Sequence, residues 1–210
     1  MILLANKQAF ESARMYAERR SPIDREQEFP RAGNYQKTVG LVGASRIGRQ
    51  VAKLLWPFDL DVVIHDPYLD EAEAAALGVT LLPLQELMTR SDIVSLHVPV
   101  TSETTAMIGA SELASMKDGA TLINTARGEV LDQAALEKEL ASGRINAILD
   151  VAVPDVLPPD HPFYELPNVM LTPHIAGSMG TELLRMGDHV VAEMERYVKG
   201  EPFAYPEELS

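Results

Sequence analysis

One rhythm constrains this chain more than any other feature. From residue 38 onward, short apolar runs rich in β-branched residues alternate with helical patterns. The strand candidates are TVGLVG (38–43), DVVIHD (61–66), DIVSLHV (92–98), ATLINTA (120–126), INAILDV (145–151) and NVMLT (168–172), with a weaker one at VTLL (79–82). Several are continuously apolar rather than alternating, which indicates strands covered on both faces, as in a parallel sheet. Between them, Ile47, Val51, Leu54 and Leu55 make one helical stripe, and Leu136 with Leu140 makes another. Alternation at this spacing predicts right-handed βαβ units, an α/β fold with a doubly wound parallel sheet.

The flanks fall outside that core. Residues 1–210 read as a single domain with its core at 37–177, a linker helix at about 5–20 and a carboxy-terminal helix at about 178–200. The first helix has a thin apolar face, Ala9, Phe10, Ala13 and Ala17 among many charges, and 19–35 reads as a polar linker with two prolines. In the last helix Leu183, Met186, Val190, Met194 and Tyr197 recur every three or four residues, an amphipathic pattern.

Charge and composition exclude several classes of function. With 31 acidic residues against 18 basic, the net charge is −13. Such a field repels phosphate backbones and anionic lipid, so no nucleic-acid and no membrane partner is expected. An anionic substrate would need a local arginine or lysine. There is no cysteine, which removes disulfides, thiolate metal sites and a cysteine nucleophile, and gives no sign of an oxidising compartment. His65, His97, His161 and His189 form no ligand cluster, so no metal is expected. Without a signal peptide or a long apolar span, the chain is expected to be cytoplasmic.

The first strand runs into GASRIG (43–48), a G-x-G-x-x-G loop with Ser45 at the middle glycine position. A strand precedes it and an amphipathic helix follows, the context that this fingerprint requires. Gly43 permits the tight turn, and Gly48 lets helix and strand pack closely. A serine between them adds a hydroxyl that could donate to a phosphate, and Arg46 adds a cation where the helix dipole already favours an anion. The second strand ends in Asp66, eighteen residues after Gly48. An acid there accepts from adenosine ribose hydroxyls and repels a 2′-phosphate, which favours NAD over NADP. Alternatively, the glycines are structural and Asp66 caps a turn with Pro67.

Three further stretches sit where strands end, the edge at which open α/β sheets place ligands. They are INTARGEVLD (123–132), LDVAVPDVLPPDHPF (149–163) and LTPHIAG (171–177). With these, and with the long run SDIVSLHVPVTSETTAMIGASELASMKDGATLINTARGEVLD (91–132), the chain resembles the D-isomer-specific 2-hydroxyacid dehydrogenases across nearly its whole length. NTARG and LTPHIAG are the most specific of these matches.

The resemblance implies an NAD-dependent oxidoreductase passing hydride between NAD(H) and a small 2-hydroxy or 2-keto acid. It implies that Arg127 holds the substrate's carbonyl and carboxylate, that His174 acts as acid and base, and that Asp155 stands where the family has a glutamate orienting that histidine. Asp150 would bond the nicotinamide carboxamide. The cofactor set it implies is Gly43, Ser45, Arg46, Ile47, Gly48, Asp66, Pro67, Val98, Pro99, Thr104, Thr125, Ala126, Arg127, Asp150, His174, Ala176 and Gly177. These residue types suit the chemistry: an imidazole titrates near neutrality, a nearby carboxylate stabilises its cation, and a guanidinium fork matches a planar α-keto acid. Two departures stand out. Asp155 is one methylene shorter than the family's glutamate, about 1.5 Å of reach, and Ala152 replaces the family's phenylalanine. Family members also carry a substrate domain ahead of the linker helix, for which residues 1–37 offer no counterpart. The expected partners are therefore a second copy of this chain and a separate chain supplying that domain. Two other readings stay open, a non-catalytic NAD(H)-binding or sensing module and a truncated remnant.

Overall fold

A computed structural model describes residues 1–206. They divide into two compact units, 1–174 and from 175 onward. The first unit holds a seven-stranded, all-parallel sheet: β1 (Lys37–Val42), β2 (Leu60–His65), β3 (Thr80–Leu81), β4 (Ile93–Leu96), β5 (Thr121–Asn124), β6 (Asn146–Leu149) and β7 (Val169–Leu171). Their spatial order is β3-β2-β1-β4-β5-β6-β7, so the direction of winding reverses between β1 and β4. All seven predicted strands form. The apolar runs are continuous because both faces are covered, as β4 and β5, each buried at all four positions, show.

Helices α1 (Ile2–Asn6), α2 (Ala9–Arg19) and α3 (Arg25–Glu28) precede the sheet, and α4 (Arg46–Leu55), α5 (Glu71–Ala76), α6 (Leu84–Arg90), α7 (Ala110–Ser115) and α8 (Gln133–Ala141) connect its strands. On one face Val63, Val94, Leu96, Leu122 and Leu149 meet Leu87 of α6, Leu113 of α7 and Leu136 and Leu140 of α8. On the other, Val39, Leu41, Ile64, Ile93, Ile123 and Ile148 meet Ala52 and Leu55 of α4, Ala74 of α5, and Ile2 and Ala5 of α1. Each buried aliphatic side chain contributes roughly 1.5–3 kcal/mol.

Three expectations change in detail. Residues 5–20 form two helices rather than one, broken at Gln8, whose left-handed φ of 48° turns the chain. This lets α1 insert Ile2 and Ala5 into the core while α2 buries nothing. The linker at 19–35 contains one helical turn, α3, begun by Asp24, whose carboxylate accepts from the backbone of Glu26 and Gln27. The buried face of α4 is Gly48, Ala52 and Leu55, not the Ile47–Leu54 line, whose side chains are 63% and 71% exposed. At 100° per residue, positions 47 and 54 share a flank that turns off the sheet. In the second unit, α9 (Glu182–Lys199) carries the predicted stripe and ends at Gly200, whose φ of 70° closes it.

Candidate functional site

Strand register lines up the candidate residues. Val42 pairs with His65 of β2 and Leu96 of β4, Leu96 pairs with Asn124, Asn124 with Leu149, and Leu149 with Leu171. One residue further on, Asp66, Gly43, His97, Thr125, Asp150 and Thr172 follow their strands at the carboxyl edge. In open α/β sheets the ligand crevice lies at this edge, where the strand order reverses.

At that reversal, Gly43, Ser45, Asp66, Pro67, Val98, Pro99 and Thr104, all named from the sequence, line one crevice. Its loop tolerates little change. A Cβ on Gly43, at φ +103°, would meet the His97 carbonyl at 2.9 Å, and a Cβ on Gly48 would fall 2.0 Å from the Gly43 carbonyl oxygen. Ser45 has an ordinary φ of −59°, so no glycine is needed there. Its hydroxyl caps α4, accepting from the Gly48 N–H at 3.3 Å, and keeps its own proton to donate. Arg46 and Ile47 form the first turn of α4.

Asp66 caps the turn after β2, as the structural alternative read from the sequence has it. Its carboxylate accepts the Ala44 N–H at 2.7 Å and the Tyr68 N–H at 2.9 Å, tying the glycine loop to the end of β2. An ionised carboxylate has about four acceptor positions, so capacity remains for ribose hydroxyls. Several lining residues were not read from the sequence as part of the site: Ala44, Arg49, His65, Tyr68, His97, Thr101, Glu103 and Met107. Tyr68 donates to Glu103 at 3.3 Å. Thr101 and Thr104 brace the loop after β4, the Thr104 hydroxyl donating to the Pro99 carbonyl at 2.6 Å. His97 is buried, its Nε2 has no hydrogen-bond partner among the described residues, and burial pushes its pKa down to about 4. It is a neutral wall of the crevice.

The edge formed by β5, β6 and β7 is looser. Asn124, fully buried, clamps the turn that presents Arg127: its amide accepts from the Ala126 N–H and donates to the Arg127 carbonyl at 2.8 Å. Thr125 and Ala126 are half-buried in that turn. Gly128 lets it approach the end of β6, since a Cβ there would sit 2.6 Å from the Ala152 carbonyl carbon. Asp150 is 3% exposed and accepts the Thr172 hydroxyl at 2.6 Å. The His174 N–H donates to the Asp150 carbonyl at 2.9 Å, and His174 takes a left-handed φ of 54°. Asp150 and Asp155 line a second cavity with Arg14, Phe163, Thr172 and Pro173. Arg127, Asp155 and His174 are all exposed. Among the described residues no hydrogen bond joins Asp155 to His174. Ala176 and Gly177 belong to the second unit.

The crevice suits a dinucleotide. A turn too tight for side chains leads into a helix amino terminus, a hydroxyl stands beside it, and an acid closes the next strand. Among the described residues, no cluster of three or more histidine or acidic side chains is placed to hold a metal ion. None of their helices is long and apolar enough to cross a membrane.

Comparison with known proteins agrees. Residues 1–176 match the family described as D-isomer specific 2-hydroxyacid dehydrogenase, NAD binding domain. A glyoxylate reductase of Korarchaeum cryptofilum is 42% identical over 168 residues, 80% of this chain and 51% of that protein. A D-3-phosphoglycerate dehydrogenase of Archaeoglobus fulgidus is 36% identical over 167 residues, 79% of this chain and 32% of that one. The chain thus spans a third to a half of these relatives. Among solved structures, D-lactate dehydrogenase with NAD+ from Lactobacillus jensenii superposes with a TM-score of 0.82 at 28% identity, covering 99% of this chain and 66% of that one. The apo D-mandelate dehydrogenase of Rhodotorula graminis gives 0.83 at 30% identity, covering 100% and 63%.

Proposed function

We propose that this chain, which belongs to the D-isomer specific 2-hydroxyacid dehydrogenase family through its NAD-binding domain, is the cofactor-holding part of an oxidoreductase acting on a small 2-hydroxy or 2-keto acid. One observation carries the reading: Gly43, Ser45 and Asp66 meet in a single crevice at the point where the sheet reverses. NAD, when bound, donates or accepts the hydride. The chain's residues do the rest. The α4 amino terminus and the Ser45 hydroxyl hold the diphosphate, and Asp66 takes the ribose hydroxyls. Asp150, held by Thr172, would bond the nicotinamide carboxamide. Arg127 fixes the substrate's carboxylate and carbonyl, and His174 takes or returns the hydroxyl proton, with Asp155 as its carboxylate neighbour.

Asp155 is one methylene shorter than the family's glutamate, about 1.5 Å of reach. A misplacement of about 1 Å costs on the order of 10²-fold in rate, so this site is slow as it stands. Restoring the family's length with Asp155→Glu raises turnover, and an unchanged rate would remove Asp155 from the site. The partners in this reading are the small acid, a second copy of the chain, and a separate chain supplying a substrate domain. The setting is the cytoplasm. The test is a fluorescence titration with NADH followed by a panel of 2-keto acids. Saturable binding with keto-acid-dependent oxidation supports the whole reading. Binding without turnover would leave only a nucleotide-binding module, and no saturation at millimolar NADH would remove the function altogether.

A further inference from the structure

Arg49 lies immediately after the last glycine of the loop, on the first full turn of α4, and lines the crevice together with Asp66. Its Nε donates to the Ala44 carbonyl at 2.9 Å, and a terminal nitrogen reaches Glu73 Oε1 at 3.3 Å. Glu73 is itself held in place. It closes the capping box of α5, its N–H donating to Asp70 Oδ1 at 2.7 Å while its other oxygen accepts the Asp70 N–H. The Arg49–Glu73 pair is partly exposed, and such pairs add little to folding stability. Its consequence is directional: it fixes where a guanidinium points at the ribose end of the crevice.

A 2′-phosphate carries nearly two negative charges at neutral pH, and Arg49 is the kind of fork that takes one bidentately. We propose that Glu73 is a second determinant of cofactor choice, holding Arg49 against the loop so that the crevice offers a phosphorylated ribose acids while the Arg49 fork is engaged elsewhere. This rests on the reading of the crevice as an NAD site. Asp66 repels the phosphate directly, and Glu73 withholds the residue that would compensate. Removing both charges should turn Arg49 from a brace into a phosphate ligand.

Glu73→Gln is the informative change, because glutamine closes a capping box as well as glutamate does and so removes the charge without unfastening α5. NADH and NADPH are titrated by fluorescence into the wild type, E73Q, D66N, D66N/E73Q and D66N/E73Q/R49Q. The wild type prefers NADH. The NADPH-to-NADH affinity ratio rises about threefold in E73Q and about tenfold in D66N, steps of the size expected for single partly exposed charges. In the double variant it rises by more than the product of these, and R49Q brings it back to the D66N level. A double variant no different from D66N, or a gain that survives R49Q, would overturn the role of Glu73 while leaving NAD binding intact. A wild type that binds no NADH would remove the NAD reading and this inference together.

Discussion

The crevice at the reversal point and the edge formed by β5, β6 and β7 differ in how tightly the chain determines them. At the crevice, two glycines press against backbone, Asp66 ties two loops, Ser45 caps a helix, and His97 is buried behind them. At the other edge the buried groups are Asn124 and Asp150, while Arg127, Asp155 and His174 project into solvent. The cofactor crevice is thus built into this chain's core, whereas the groups proposed for acid–base chemistry lie at its surface. Hydride transfer needs water excluded from the reacting centre, and the trio proposed for it is exposed.

The largest effect tests the crevice. Gly48→Ala places a methyl 2.0 Å from a backbone oxygen, with no flexible side chain to move aside. The expected loss is about 3 kcal/mol of stability, the upper range for overpacking, together with all measurable NADH binding. Denaturant melts and fluorescence titration read both, and a variant that binds NADH normally would break the comparison.

The next effect is pH-dependent. Burial holds the folded-state pKa of His97 at about 4, below the ordinary imidazole value of 6.5, so the unfolded chain binds the extra proton between those values. The stability conferred by the neutral imidazole is complete above pH 6.5 and is lost as pH falls toward 4. Wild type should lose about 2 kcal/mol more than His97→Asn between pH 6.5 and 4.5. Equal slopes in urea titrations would mean that His97 is not the buried neutral group described here.

Smaller effects sharpen the contrast at the other edge. Asn124→Ala leaves the Ala126 N–H and the Arg127 carbonyl without their partner and should cost about 1.5 kcal/mol. Arg127→Ala, at an exposed position, should change stability by less than about 0.5 kcal/mol while abolishing keto-acid turnover. Thermal melts separate the two. An Arg127 variant as unstable as the Asn124 one would show that the arginine is structural.

Much of this was legible beforehand. Strand runs covered on both faces are continuously apolar, so all seven were visible, and GASRIG with Asp66 marked the crevice through backbone requirements that leave a sequence trace. Arg49, His97 and Asn124 were not read as site residues. Their importance lies in which strand ends adjoin, and strand order is a non-local property that no short spacing encodes. The break at Gln8 was equally hidden, because a left-handed glutamine has no composition signal.

From its residues alone, the chain determined its parallel sheet, the tight turn and the acid after β2, since periodicity and backbone sterics are local. Only the assembled sheet decided that Glu73 restrains Arg49, that His97 is buried and neutral, and that Gly128 brings Arg127 beside the end of β6. Those contacts join segments distant along the chain. Their energies come from burial and from charges brought close together, neither of which exists until the strands have found their order.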